Sequence, residues 1–223
     1  MQSFEDIWAL ACERKGGEKA FEASMPEIIS VKKLRAIPDD RWLANMTKRI
    51  FQAGFVWKII EHKWGGFEEA FWSFDPGRVA LMSDDDLDNL VSDTRIVRNG
   101  QKITAAQANA SFICDLAREH GSAAKFFADW PDEDFIGLLD VMKKRGKRLG
   151  GMTGPYFLRT MGKDSFILND DVSAALIRAG VVDKKPTAKA AQAKVQEAFN
   201  EWKQESGRPM AHISRTLACS IDA

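Results

Sequence analysis

The chain has little of what marks a secreted, membrane-spanning or strongly charged protein. It contains three cysteines in 223 residues, Cys12, Cys114 and Cys219, far apart and with no CxxC pair. That spacing argues against a disulfide framework and reads as free thiols in a reducing compartment. No apolar run approaches the ~20 residues of a membrane span, and the N-terminal stretch lacks the apolar segment of an export signal, so a cytoplasmic protein with no membrane partner is expected. Neither sign of charge is in excess: lysine plus arginine and aspartate plus glutamate number 32 each. Any contact with a polyanion therefore has to come from a local patch. There is no Ser/His/Asp or Cys/His pairing to support nucleophilic hydrolysis. Gly16-Gly17 and Gly65-Gly66 lack the surroundings of a phosphate loop. His62, His120 and His212 are isolated, without ligand-spaced partners, and read as surface or cap residues. Strand-like alternation is nearly missing too; only VWKII at 56–60 is dense in β-branched residues, and it lies within a helical period.

What is present is helical. A hydrophobic fraction of 45% is too high for a disordered chain and ordinary for a globular one. Seven tryptophans stand against a single tyrosine, and most are expected in the core, where a large ring buries much apolar area. In 39–63, Trp42, Met46, Ile50, Ala53 and Trp57 recur at spacings of three and four, giving one apolar face interrupted at Gly54. Ser83 followed by Asp84, Asp85 and Asp86 is an N-cap with acids in the first turn. Asn99-Gly100 opens a long pattern closed by His120-Gly121. Further helices are expected to start at Pro131-Asp132 and at Pro186-Thr187, the latter ended by Gly207 and Pro209. The expected fold class is all-α, about ten short helices in one domain over 1–223, with no linker long enough to divide it.

The most informative stretch is RLGGMTGPYFLRTMG, 148–162, preceded by KKRGKR, five cations in six residues. Leu149-Gly150-Gly151-Met152-Thr153-Gly154 approximates the hydrophobic–x–Gly–hydrophobic–x–Gly pattern of a helix-hairpin-helix, here over about 137–162. Glycine lets the backbone take positive φ and brings its N–H groups within reach of a phosphate. The helix that follows points its N-terminal dipole at the same anion, and Pro155 costs nothing in its first turn. Lys143, Lys144 and Arg145 upstream would hold a polyanion there. The expected DNA-contacting set is Lys143, Lys144, Arg145, Leu149, Gly150, Gly151, Thr153 and Gly154. A helix–helix corner carrying a solvated charge run is the other reading.

In order along the chain, FQAGFVW (51–57), FEEAFWSFDP (67–76), VALM (79–82), Ile96-Val97-Arg98, Lys102-Ile103, Asn109-Ala110, MKKRG (142–146), the glycine turn and Leu168-Asn169-Asp170 resemble the DNA-3-methyladenine glycosylase I family of the helix-hairpin-helix glycosylases. The resemblance covers roughly 45–180 and leaves 181–223 as a C-terminal helical extension. It implies two helical lobes, a base pocket, and hydrolysis of the N-glycosidic bond of an alkylated purine, 3-methyladenine first, flipped out of double-stranded DNA by a monomer that needs no cofactor. Trp57 matches the tryptophan that stacks on the extruded base, although its spacing from Trp42 and Met46 also suits a core position. Gln52 is placed either to read a base edge or to cap buried backbone.

Departures from the family pattern carry as much meaning. The family's zinc ligands are a Cys and a His near the N-terminus and a His and a Cys after the hairpin. Here the later two positions are Asp171 and Ala175, and no histidine occurs in the first fifty residues, so no zinc is expected. The family's base-reading glutamate is replaced by Arg49, which has donors only. It is open whether Arg49 lines the pocket, contacts phosphate or is structural. The aspartate that assists catalysis elsewhere in the superfamily corresponds to Asn169. A cationic base such as 3-methyladenine needs no protonation to leave, so stacking and the negative field of Asp170 and Asp171 are expected to suffice, and neutral lesions to be left alone. Equally, Asn169, Asp170 and Asp171 can cap the helix that follows. Two other function classes stand beside the glycosylase: a hairpin DNA-binding protein that has lost base excision, favoured by Arg49, and a helical adaptor, favoured by the tryptophans and zero net charge. Lys163, the nearest lysine after the hairpin, reads as a surface residue rather than a Schiff-base former.

Overall fold

Fourteen α-helices and no strand are found among the described residues, 1–221, in the computed structural model. They are α1 (Phe4–Arg14), α2 (Glu18–Glu22), α3 (Val31–Arg35), α4 (Asp39–Gln52), α5 (Trp57–Ala70), α6 (Pro76–Ala80) and α7 (Asp84–Ser92). Then follow α8 (Gly100–His120), α9 (Ala123–Asp129), α10 (Phe135–Arg145), α11 (Thr153–Thr160), α12 (Asp170–Arg178), α13 (Lys189–Ser206) and α14 (Met210–Cys219). The all-α class holds, with more helices than periodicity indicates because α2, α3 and α6 have five residues each, too few to show a period. The last two residues of the C-terminal extension, Asp222 and Ala223, lie outside the described residues.

Local chemistry sets the boundaries. Ser83 accepts from the Asp86 N–H while the Asp86 carboxylate accepts from the Ser83 N–H, a complete capping box at the head of α7. Asn99 caps α8, and Gly121 ends it in the left-handed conformation. The helix expected over 39–63 is in fact two. α4 ends at Gln52, the backbone turns at Gly54 with φ +69°, and α5 begins afresh at Trp57. The helix expected from Pro186 starts at Lys189.

The helices gather into two compact units. One holds Met1–Ile29, Pro131–Leu138 and the chain from Asp164 onward. Its core stacks Phe166 on Phe199 (4.2 Å), with Phe135 and Trp202 edge-on to either ring. The buried Asp164 carboxylate receives the N–H groups of Met210 (3.0 Å) and Ala211 (2.8 Å), satisfying the donors that the start of α14 leaves open.

The other unit holds Ser30–Trp130 and Leu139–Lys163. Trp42 is wholly buried, stacked on Phe127 at 4.9 Å and edge-on to Phe157. Asp39 reaches the N–H groups of Ala123 and Ala124, both at 3.0 Å, and so caps α9. The motif FEEAFWSFDP builds a strained turn in which Trp72, Ser73 and Phe74 all take positive φ. Each such residue costs on the order of 1–2 kcal/mol. Aromatic pairs Trp64–Phe74, Phe71–Phe74 and Trp64–Phe67 at 5.3–5.4 Å each return about 0.5–1.5 kcal/mol beyond their buried area. Arg41 holds the turn further, paired twice with Glu68 and donating to the Ser73 carbonyl at 2.6 Å.

Candidate base pocket and hairpin

The break between α4 and α5 makes the site. Carbonyls at the end of a helix lack intrahelical partners, and here the Lys102 ammonium donates to those of Phe51 (3.1 Å) and Ala53 (2.8 Å). With the chain end pinned, residues 53–56 form one rim of a cleft of about 600 Å³. Its other walls are Arg49 and Gln52 from α4, Trp57 from α5, and Met152, Thr153 and Tyr156 from the hairpin turn and α11. The volume falls within the range of small-molecule sites. All of these residues belong to the second unit.

Trp57 is 50% exposed, so the core alternative for it fails; the restart of the helix turns its ring away from the face of Trp42 and Met46. Tyr156 meets the ring edge-on at 6.2 Å, which fixes its tilt. Arg49 lies with its guanidinium carbon 5.1 Å from the Trp57 ring centroid. Its Nη1 donates to Gln52 Oε1 at 3.0 Å, its Nη2 donates to Thr160 Oγ1, and its buried Nε has no partner. Burial lowers the guanidinium pKa, with the Glu61 carboxylate opposing the shift. Gln52 does not cap backbone: its amide bridges side chains, donating to Glu61 at 2.9 Å while accepting from Arg49, and Glu61 is paired with Lys48 at 2.6 Å. Arg49 is thus a pocket residue.

Between α10 and α11 the chain makes the glycine turn, with φ +61° at Gly151 and +58° at Arg148. Leu149 is buried beneath it. Gly154 is needed for a different reason: a Cβ there would lie 2.6 Å from the Leu149 carbonyl oxygen. Gly154→Ala should therefore destabilise the protein by more than Gly151→Ala, whose added methyl meets nothing within 4 Å and pays only the positive-φ cost of about 1 kcal/mol. Equal shifts in urea midpoint would contradict this. The fully buried Asn109 anchors the turn from α8, accepting from the Lys147 N–H (2.7 Å) and donating to its carbonyl (3.0 Å).

The cations before the turn are not equivalent. Arg145 lies over Phe112 and forms a two-pronged pair with Glu119 (2.8 and 2.7 Å); the hydrogen bonds of that pair raise the Arg145 pKa and lower that of Glu119. Lys144 pairs with Asp140 at 2.6 Å. Lys143 and Lys147 are exposed. In a salt titration of duplex binding, Lys143→Ala should reduce the slope by about 1, and Arg145→Ala by less, because its charge is already answered. A larger effect at Arg145 would mean that the pair with Glu119 opens on DNA.

Beyond α11, Lys163 is the last residue of the second unit, and the residues from Asp164 belong to the first. Lys163 is 3% exposed and donates to the Trp130 carbonyl at 2.9 Å; it is not a surface residue, because its stem is packed and its head is spent on backbone. Asn169 caps α12, its Oδ1 accepting from the Val172 N–H at 2.9 Å. Asp170 is exposed and paired with Lys185 at 2.6 Å, which lowers its pKa, and Asp171 is exposed. The donor set does not fit zinc. Cys12 lies in an apolar cluster with Ala11, Phe21 and Cys219, where burial pushes its thiol pKa up, away from the thiolate a metal needs. Among the described residues no group of three or more His, Cys, Asp or Glu could hold a metal ion. No helix among them is long and apolar enough to cross a membrane.

Tyr156 and Glu61 complete the site and were not singled out from sequence; Met152 and Lys102, part of the hairpin pattern and of the resemblance, turn out to line and to pin it. Tyr156, the only tyrosine, three residues past Thr153 on a helix, was the available signal.

DNA-3-methyladenine glycosylase 1 of Escherichia coli K12 is 39% identical over 59 residues, 26% of this chain, and the chain spans only 32% of that enzyme's length. DNA-3-methyladenine glycosylase of Haemophilus influenzae is 28% identical over 53% of this chain and 75% of its own length. A solved structure of 3-methyladenine DNA glycosylase I from Staphylococcus aureus superposes with a TM-score of 0.51 at 26% identity, over 56% of this chain and 77% of that one. The family profile for methyladenine glycosylase matches residues 36–150, 115 of 223, a span that contains the Arg49–Trp57 wall of the cleft and runs to the glycine turn. The chain belongs to the methyladenine glycosylase family.

Proposed function

We propose that this protein, acting as a monomer over its whole length, excises alkylated purines from double-stranded DNA by hydrolysing the N-glycosidic bond, with 3-methyladenine, the base named in its relatives, as the first substrate. One observation carries the reading: a half-exposed tryptophan lines a cleft of about 600 Å³, large enough to admit a flipped base, that is also lined by Met152 and Thr153 of the glycine turn. On this reading the glycine turn meets phosphate and the Trp57 ring takes the flipped base, and both belong to one unit.

The chemistry follows from the charges. An N3-alkylated adenine in DNA is already cationic, so its C1′–N9 bond breaks to give a neutral base and a sugar cation, to which water adds. Stacking on Trp57 favours the extruded state; Asn169, Asp170 and Asp171 belong to the other unit, where Asn169 caps α12 and Asp170 is paired with Lys185. The non-catalytic alternative has no support in the cleft, which keeps its exposed ring. The test is to incubate methylated duplex with the protein and count abasic sites as alkali-labile breaks. Breaks should accumulate with time and protein concentration; none above background would reduce the protein to a DNA-binding module.

A further inference from the structure

We infer that Arg49 gives this pocket a second class of substrate, neutral 6-oxopurines, of which hypoxanthine is the simplest. The inference rests on the reading of the cleft as a base pocket. Arg49 lines that cleft with its guanidinium over the Trp57 ring, so a base entering against Trp57 meets it. Of its five N–H donors, one is engaged by Gln52 and one by Thr160, and the buried Nε is without a partner. Because Nε itself is buried, the donors a ligand can meet are the second N–H groups on the two terminal nitrogens, whose first ones are held by Gln52 and Thr160. Gln52, locked between Arg49 and Glu61, keeps the guanidinium from swinging out.

A guanidinium fork finds its matching edge on a purine that carries O6 and N7 together, the two acceptors arginine reads on guanine. Hypoxanthine has both. It lacks guanine's 2-amino group, pairs weakly, and is unstacked at less cost than a normal base. The expectation that neutral lesions are left alone assumed no group in the pocket to assist the leaving base. Arg49 supplies one without giving up a proton. When the C1′–N9 bond breaks, its electron pair goes to N9 and the charge spreads to N7 and O6, where the guanidinium stabilises it. Water adds its oxygen to C1′ and releases a proton to solvent, and the departing base takes up one proton at a ring nitrogen. Toward a cationic base the same guanidinium is a like charge, so Arg49 must act with opposite sign on the two substrate classes.

The experiment compares single-turnover release from duplexes carrying one hypoxanthine, one 3-methyladenine, or only normal guanine, for the wild type and for Arg49→Gln and Arg49→Lys. The wild type should release hypoxanthine and no guanine. Arg49→Gln should lower hypoxanthine release by about 10²-fold and raise 3-methyladenine release several-fold. Arg49→Lys, which keeps the charge and loses the fork, should fall between on hypoxanthine and show no gain on 3-methyladenine. Wild-type release of 3-methyladenine with hypoxanthine at background would overturn the inference and leave the proposed function standing. So would equal losses on both substrates in Arg49→Gln, which would make Arg49 a brace for Gln52 and Thr160. Release of neither base would overturn the pocket reading and this inference together.

Discussion

Replacing Trp57 with alanine should slow release of 3-methyladenine by roughly 5- to 150-fold, the equivalent of the 1–3 kcal/mol that an aromatic ring contributes per stacked base. Binding to undamaged duplex should barely change, because the phosphate contacts are assigned to the hairpin and Lys143 rather than to the cleft. Stability should also hold: the ring is half exposed, and its contacts are the edge of Tyr156 and the guanidinium of Arg49. Asn169→Ala, by contrast, removes one helix cap, worth ~1 kcal/mol of stability, and should slow base release less. Gel-shift affinities and single-turnover rates on the same preparations separate the two residues. A Trp57→Ala protein with full activity would show that the flipped base rests elsewhere.

Asn109→Ala should cost much stability for a change at a residue remote from the cleft. The fully buried amide is matched to both backbone groups of Lys147, and its removal leaves an N–H and a C=O unpaired beneath the turn. At 1–3 kcal/mol for each buried group left unsatisfied, the cost is about 3 kcal/mol, or a fall in melting temperature of roughly 6–12 °C for a chain of this length. DNA affinity should fall with it, since the turn that meets phosphate is no longer held to α8. Asn109→Asp is the sharper variant. It keeps the acceptor for the Lys147 N–H and sets a carboxylate oxygen against the Lys147 carbonyl, so it should be no better tolerated than alanine. A near-neutral result for either would mean that water replaces the amide.

How much of this could be read from residue order depends on the kind of interaction. Caps and long amphipathic patterns are local, so Ser83, Asn99 and Gly121 mark their boundaries correctly. The turn at 149–154 was legible because glycine at fixed spacing has a backbone reason. At 39–63 the sequence marks the interruption at Gly54, but a 3.6-residue pattern that resumes beyond it hides that the helix ends there and restarts at Trp57, which is what exposes the ring. Lys163 shows the opposite error: a lysine reads as surface unless the carbonyl awaiting it is known, and Trp130 lies thirty-three residues away. The pairing of Arg145 with Glu119 and the Lys102 contacts that close α4 are likewise long-range, and no spacing rule announces them. Arg49 was conspicuous as a departure, but only its neighbours, Trp57, Gln52 and Thr160, make it a pocket residue.

Base excision at this cleft requires that an intact base leave the DNA. The direct measurement is chromatography of the small molecules freed from methylated duplex after single-turnover incubation, with abasic sites counted in the same reactions. Intact 3-methyladenine should appear in amounts equal to the abasic sites formed, at a rate lowered in Trp57→Ala. Tight binding to the methylated duplex with no free base released, or release that is unchanged by the loss of Trp57, would contradict excision at this cleft.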